Sequence, residues 1–239
     1  MTLVLSRRGS WSHKADFRFL IFRGLLQSGI FFAMLLSYRV STLSMTVVLY
    51  YTSPAWALFF GAYFLDERLT VKRIGGVLVA MLGILVLINP WEEAINPGHL
   101  YGLSAGIMGG CGSVLSRYLR RRHDAWMIYA FICFVGTLSS LPLVVGRVHI
   151  PEFSDGMMLI AIAVFGLLAQ VLMNYGYRFI QAAEGATLMT TEAIFTGIAG
   201  IIIFREPLTL RILAGAAMVL GSGVYLGLET RSESAAKMK

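Results

Sequence analysis

The chain has 239 residues, of which 57% are hydrophobic and 14% are charged, and its formal net charge at pH 7 is +7. Soluble domains carry about 25% charged residues, so this composition excludes a disordered chain and an ordinary soluble enzyme. One membrane-spanning helix needs about 20 predominantly apolar residues, so the chain has room for about eight of them and for no soluble catalytic domain.

Long stretches without charged residues predict the membrane spans. Backbone groups in lipid must hydrogen-bond within their own segment, so stretches of this length are predicted to be helices. The predicted spans cover residues 17–38, 43–64, 73–89, 99–117, 125–146, 157–178, 185–204 and 211–228. Arg23 lies near the start of the first span, where we expect its side chain to snorkel to the membrane surface. The sequence thus predicts an all-α, polytopic membrane protein.

The basic residues predict the orientation of the bundle. Most of the 20 Lys and Arg residues fall in the N-terminal segment, the C-terminal tail and the loops on the same side of the membrane. Cytoplasmic loops carry such an excess. Both termini are therefore predicted to be cytoplasmic, in a multi-pass protein of the cytoplasmic (inner) membrane. This role of the basic charge gives no indication of a nucleic-acid partner.

The chain contains an internal repeat. Glu67-Arg-Leu-Thr70 recurs as Glu206-Pro-Leu-Thr209, a shift of 139 residues (206 − 67), and the same shift aligns spans one to three with spans six to eight. Corresponding spans are an odd number apart and cross the membrane in opposite directions, as in the inverted repeats of many secondary transporters. Spans four and five precede the second copy, whereas nothing precedes span one. We therefore expect a five-plus-five bundle that lacks its first two helices.

The segments that carry the repeat also carry a family resemblance. Tyr51-Thr-Ser-Pro-Ala-Trp56 with Leu65–Thr70, and Thr191-Glu-Ala-Ile-Phe195 with Phe204–Thr209, resemble the paired EamA-type repeats of the drug/metabolite transporter superfamily. The resemblance implies a ten-helix fold that exports or exchanges small metabolites such as amino acids. It makes 17–90 a partial first repeat of three helices and 99–229 a second repeat of five, between cytoplasmic segments 1–16 and 230–239. The sequence departs from the family at Ala193, where the second copy usually has proline.

Glu192 is the strongest candidate for a functional side chain. It lies near the middle of an otherwise uncharged span, where a charged side chain costs about 2.5 to 3.5 kcal/mol on insertion scales. Such a group faces a polar cavity, pairs with a cation or is protonated. We interpret it as a substrate-contacting or proton-carrying carboxylate, against the alternative of a neutral packing residue.

Five further residues complete the predicted substrate site. Pro54, at the position that matches Ala193, is expected to kink span two, either beside the substrate or for structural reasons only. Tyr51 and Trp56 could line an aromatic cavity, although ordinary helix packing is the favoured interpretation of each. Gln170 and Asn174 lie four residues apart on one face of span six, as interhelical glue or as cavity-lining amides.

Other repeated features have structural interpretations. Glu67 and Glu206 end spans where a helix terminus meets water, and we assign both a structural role. Gly102, Gly106 and Gly110 place small residues along one face of span four, which permits close helix packing.

These patterns favour a secondary transporter of a small metabolite, with energy from a substrate or ion gradient. The chain has no phosphate-binding loop and its four histidines show no metal-ligand spacing, so we expect no enzymatic activity, no cofactor and no metal. The alternative from another class is a non-transporting membrane interaction or accessory protein derived from a truncated transporter. The expected partners are a small-molecule substrate and the lipid bilayer, and an incomplete bundle also leaves room for a homodimer.

Overall fold

The computed structural model describes residues 14–65, 67, 69–88, 96–144, 153–192, 195 and 210–236. These residues form an all-helical bundle, which confirms the predicted fold class. Its helices are α1 (Lys14–Tyr38), α2 (Leu43–Tyr50), α3 (Ser53–Leu65), α4 (Val71–Ile88), α5 (Pro97–Leu119), α6 (Ala125–Val144), α7 (Phe153–Gly176), α8 (Ala182–Met189) and α9 (Leu210–Ala236).

Predicted span two differs from the structure because it is two helices. α2 ends at Tyr50 and α3 begins at Ser53, so Pro54 is the second residue of a new helix. Proline is well tolerated in the first helical turn because its missing N–H would have no partner there. The predicted kink within a continuous helix is therefore wrong, and the chain has a complete helix break instead.

The helix boundaries agree with the repeat in the sequence. Adding 139 to Leu43, the first residue of α2, gives 182, at which α8 begins. The short helices α2 and α8 also end at matching positions, Tyr50 and Met189. Predicted span seven is interrupted after α8, and its residues 193, 194 and 196–204, which include Ala193, lie outside the described residues.

Both short helices end with the same hydrogen bond. The Thr52 hydroxyl donates to the Leu49 carbonyl at 2.7 Å, and the Thr191 hydroxyl donates to the Leu188 carbonyl at 2.7 Å. These residues are identical in the two repeats and related by the shift of 139. A helix end leaves carbonyl groups without intrahelical hydrogen-bond donors. The hydroxyl of each threonine provides one such donor at its break.

α5 is the central helix of the bundle and packs against α1, α2, α3 and α8. The predicted small-residue face of this helix is buried. A Cβ atom at Gly106 would come within 2.6 Å of the Leu49 carbonyl oxygen, and one at Gly110 within 2.7 Å of the Ala57 backbone nitrogen. The glycines thus allow the backbone around the α2–α3 break to lie directly on α5.

A buried ion pair joins the two repeats. Arg73 of α4 donates from Nε to Glu184 Oε1 of α8 at 3.2 Å, and their side chains are 1% and 2% exposed. α4 also packs along α9, its repeat-related partner. The charges are paired and hydrogen-bonded, which is how buried charged groups are accommodated.

Several helices have the properties of membrane spans. Among the described residues, Phe17–Tyr38, Ala125–Pro142 and Asp155–Gly176 are long and apolar enough to cross a bilayer, and Leu213–Leu226 is a shorter apolar helix. Asn174 is the only buried residue of the Asp155–Gly176 segment, and most of the large apolar side chains of the segment are exposed. An apolar helix surface of this kind matches a hydrocarbon environment.

The threonine hydrogen bonds predict a shared stability defect. Thr52→Val and Thr191→Val retain the side-chain shape and remove the hydroxyl donor, so each should lower the free energy of unfolding by about 1 kcal/mol. Thermal unfolding of the purified protein in detergent measures this loss. Thr137→Val, on the exposed face of α6, is the matched control, and equal stability of all three variants would contradict the explanation.

Candidate functional site: a polar cavity between the broken helices

A cavity of about 110 Å³ lies where α2 breaks and α8 ends, enclosed by α1, α2, α3, α5, α7 and α8. Its lining combines apolar and polar surface. The polar side chains on which the following paragraphs depend are Arg23, Gln27, Tyr51, Ser113, Gln170 and Glu192. Residues from both repeats therefore meet in one cavity, as in transporters with broken helices at the bilayer midplane.

Glu192 and Tyr51 connect the two repeats across this cavity. The Tyr51 hydroxyl donates to Glu192 Oε1 at 2.8 Å, and the Tyr51 side chain is buried. Glu192 lies just after α8, and its side chain remains exposed while it lines the cavity. The carboxylate therefore has a neutral hydrogen-bond donor and is also accessible from the cavity. A packing residue would have the hydrogen bond without access to the cavity.

Arg23 corrects one prediction. Its side chain does not reach the membrane surface but is buried inside the bundle, 3% exposed. Nε donates to the Ser116 hydroxyl at 2.8 Å, and Nη1 donates to Gln27 Oε1 at 3.1 Å. These contacts turn the guanidinium towards α5 and the cavity, which it lines together with Gln27.

Gln170 and Asn174 share one face of α7, as predicted, but differ in their position at the site. Gln170 lines the cavity, whereas Asn174 is fully buried and donates from Nδ2 to the Gln170 backbone carbonyl at 2.8 Å. Gln170 Oε1 and Asn174 Oδ1 are buried acceptors without a donor among the described residues. A buried acceptor of this kind is costly to leave unpaired, so the Gln170 amide is suited to accept a hydrogen bond from a molecule in the cavity.

Pro54 and Trp56 lie on α3, outside the set of side chains that lines the cavity. Pro54 is buried in the first turn. Trp56 stacks on Phe60, with ring centroids 6.2 Å apart, and its Cβ lies against Gly110. These contacts are helix packing, while Ser53, directly before Pro54, is the α3 residue that lines the cavity.

A polar layer lies at the start of α8, and it contains Glu67, Arg73, Arg117 and Glu184. Both Glu67 carboxylate oxygens accept from the Ala182 N–H in the first turn of α8, at 3.4 and 3.2 Å. Arg117 Nε lies 3.8 Å from Glu67 Oε1. Burial raises the pKa of the Glu67 carboxyl, and the Ala182 N–H and Arg117 act in the opposite direction.

These contacts agree with a structural role for Glu67, because a carboxylate at a helix N-terminus satisfies its free N–H groups. Arg117 also donates to the Tyr177 and Arg178 carbonyls, at 2.8 and 2.6 Å. The polar layer thereby holds the end of α7 and the start of α8 in place. Glu206, the repeat counterpart of Glu67, lies outside the described residues.

The sequence interpretation missed Arg23 and Gln27 as site residues. They lie four residues apart in an apolar span and so share one helix face, which is the same signal that identified Gln170 and Asn174. The position of Arg23 near the start of the span favours snorkelling, whereas the amide of Gln27 one turn later indicates a polar interior. Ser113 was also missed, although its hydroxyl accepts from Tyr177 at 2.9 Å.

Comparison with known proteins identifies the family. The model of the EamA-like transporter family matches residues 1–89 and 96–227. The chain belongs to this family. EamA-like proteins are integral membrane transporters, so the apolar helices described above form a multi-pass membrane protein and the central cavity belongs to a transporter fold.

Similar proteins include transporters with different named substrates. The chain is 25% identical to a riboflavin transporter of Brucella anthropi, over 75% of this chain and 66% of the relative. It is also 25% identical to the pseudopaline exporter CntI of Pseudomonas aeruginosa, over 75% of this chain and 64% of the relative. The chain thus spans slightly less than two thirds of these relatives. One crystal structure covers 92% of the chain with a TM-score of 0.77 at 17% identity, which shows a shared fold.

The cavity predicts different solvent access for two cysteine positions. Ser113→Cys, in a protein whose Cys111 and Cys133 are replaced by alanine, should react with a charged methanethiosulfonate reagent more than about tenfold faster than native Cys133 as the sole cysteine. Ser113 lines the cavity, whereas Cys133 is on the exposed apolar surface of α6. Labelling is measured by mass spectrometry in detergent, and equal rates would show that the cavity is dry.

Proposed function

We propose that this chain is a secondary transporter that exports or exchanges a small metabolite, such as an amino acid or a related compound, across the cytoplasmic membrane. The observation that carries the proposal is the hydrogen bond between Tyr51 and Glu192, which lies in a polar cavity and joins the two repeats. Alternating access requires two repeats that move against each other around the substrate site. The hydrogen bond between Tyr51 and Glu192 lies at the boundary of the two repeats, where a substrate can replace it.

The proposed site consists of Glu192, Tyr51 and Gln170 in the cavity, with Asn174 behind Gln170 and with Pro54 and Trp56 shaping α3. A substrate ammonium group would bind the Glu192 carboxylate in place of the Tyr51 hydroxyl and donate to Gln170 Oε1. A charged donor forms the stronger hydrogen bond, so substrate would loosen the contact between the repeats as it binds. Release on the other side would restore the Tyr51 contact.

The size of the cavity supports a small substrate. The cavity of about 110 Å³ is lined by side chains of both repeats and has room for a small molecule. A named exporter among the relatives supports the export direction, and the excess of basic residues supports cytoplasmic termini in the inner membrane.

The proposed segments follow from the repeat. Residues 17–90 would form one half of the transporter and residues 99–229 the other, so that Tyr51 and Glu192 come from different halves. Energy would come from a gradient of substrate or ion, with no nucleotide hydrolysis. The bilayer and the substrate are the proposed partners, and the exposed apolar surface of α7 would face lipid or a second copy.

Glu192→Gln should abolish transport, with at least about a tenfold loss of flux, because it replaces a charge-assisted contact by a neutral one. Flux is measured as counterflow of radiolabelled L-amino acids in proteoliposomes containing the purified variant. Asp155→Asn, on the exposed start of α7, is the matched control and should transport like the unmodified chain.

Normal flux in Glu192→Gln would remove Glu192 from the site. If the unmodified chain moves no amino acid and its stability does not change with any of them, the proposal fails and the non-transporting accessory protein takes its place. Size-exclusion chromatography should give the same elution for both variants and the unmodified chain, which separates a loss of function from a loss of fold.

A further inference from the structure

Arg23 is a buried cation in the same cavity as Glu192, and nothing in the proposed function so far uses it. Its side chain is 3% exposed, and the cavity is where that remaining surface lies. The guanidinium donates to the hydroxyl of Ser116 and to the amide oxygen of Gln27, at 2.8 and 3.1 Å, and both partners are uncharged. Within the described part of the chain, no carboxylate lies within ion-pair distance of the guanidinium.

A buried charge without a counter-ion is expensive, since removal of an ion from water costs several kcal/mol even after relaxation. Buried arginines are therefore usually paired with carboxylates. Arg73 of the same chain follows this rule through its pair with Glu184. Arg23 departs from it beside a cavity in which a small molecule has room to supply the missing negative charge.

The guanidinium is held in a defined orientation. Nε and Nη1 are occupied by Ser116 and Gln27, so the remaining N–H groups are those available to a ligand. Gly112 of α5 also lines the cavity beside the guanidinium, where a Cβ atom would lie 3.6 Å from the guanidinium carbon. A fixed fork of N–H donors matches the geometry of a carboxylate better than a point charge does.

Arg23 and Glu192 lie at separate places on the cavity wall. Tyr50 also lines the cavity, and the described residues form no ion pair between Arg23 and Glu192. A cavity with a cation on one part of its wall and an anion on another is complementary to a molecule that carries both charges.

We infer that Arg23 is the specificity-determining residue for the negatively charged group of the substrate. This inference rests on the proposed function and adds to it the second charged contact of the site. The substrate's anionic group binds the Arg23 guanidinium, while its ammonium group binds Glu192 and Gln170.

The test compares substrates that differ by one charge. Two competitors of counterflow are compared for each L-amino acid that the unmodified chain transports: the amino acid itself and its amide. The amide retains the ammonium group and loses the carboxylate. The amide should compete about tenfold or more weakly than the acid, because the arginine then remains buried without a counter-ion. The N-acetyl derivative, which loses the ammonium, should also compete weakly.

Substitutions of Arg23 should change this selectivity and not merely the rate. The Arg23→Gln variant should lose most of its affinity for the acid. The acid and the amide should then compete equally well for transport by this variant. Arg23→Lys should retain the preference for the acid at reduced affinity. Arg18→Gln, on the exposed surface of the same helix, is the matched control and should show the unmodified preference. An arginine that only joins α1 to α5 would change stability without changing the ratio of acid to amide.

The outcomes separate the inference from the proposed function. Transport by the unmodified chain with no preference for acid over amide would overturn the role of Arg23 and leave the transporter intact. An unchanged preference in Arg23→Gln would do the same. The first comparison needs no substitution, so it decides the question even where Arg23→Gln does not insert or fold. Absence of flux for every amino acid would overturn both proposals.

Discussion

The requirement that backbone polar groups be satisfied inside the protein determines where this bundle can be irregular. A break within a membrane helix exposes carbonyl and N–H groups that lipid cannot satisfy. The chain breaks its helices at two repeat-related places and provides the same remedy at each, a threonine hydroxyl bonded to the carbonyl three residues earlier. The cavity lies at these two breaks, where Gly106 and Gly110 bring the first of them directly onto α5. The opening in the bundle is thus a consequence of broken helices that remain hydrogen-bonded.

The two repeats share this scaffold but not their charges. Ser53 and Glu192 occupy matching positions and both line the cavity, yet only one of them is ionisable. The position that matches Arg23 is Ile162, which lies on the exposed apolar surface of α7. Repeat symmetry therefore explains the framework, and the departures from symmetry supply the cation and the anion that give the proposed site its selectivity.

Much of the framework was predictable because it depends on patterns that are local in the chain. Lengths of uncharged sequence located the described helices, although α9 continues to Ala236, beyond the predicted end at 228, and α8 ends at Met189, before the predicted end at 204. The shift that aligned Glu67 with Glu206 also aligned α2 with α8. The break before Pro54 was not predictable in the same way. A proline inside an apolar span fits a kink and a fresh helix start equally well, and the packing of Leu49 and Ala57 on α5 decides between them. The prediction that Arg23 snorkels was wrong for a similar reason. Snorkelling and burial differ only in which neighbours the folded bundle places beside the side chain.

The central claim is that the cavity between the repeats carries a small solute from one side of the membrane to the other. Counterflow by the unmodified chain tests this claim most directly. Proteoliposomes loaded with an unlabelled L-amino acid should accumulate the same labelled amino acid from outside above the level of protein-free liposomes, and the accumulation should then decay. Uptake no greater than that of protein-free liposomes for every amino acid, with a correctly inserted chain, would contradict the account.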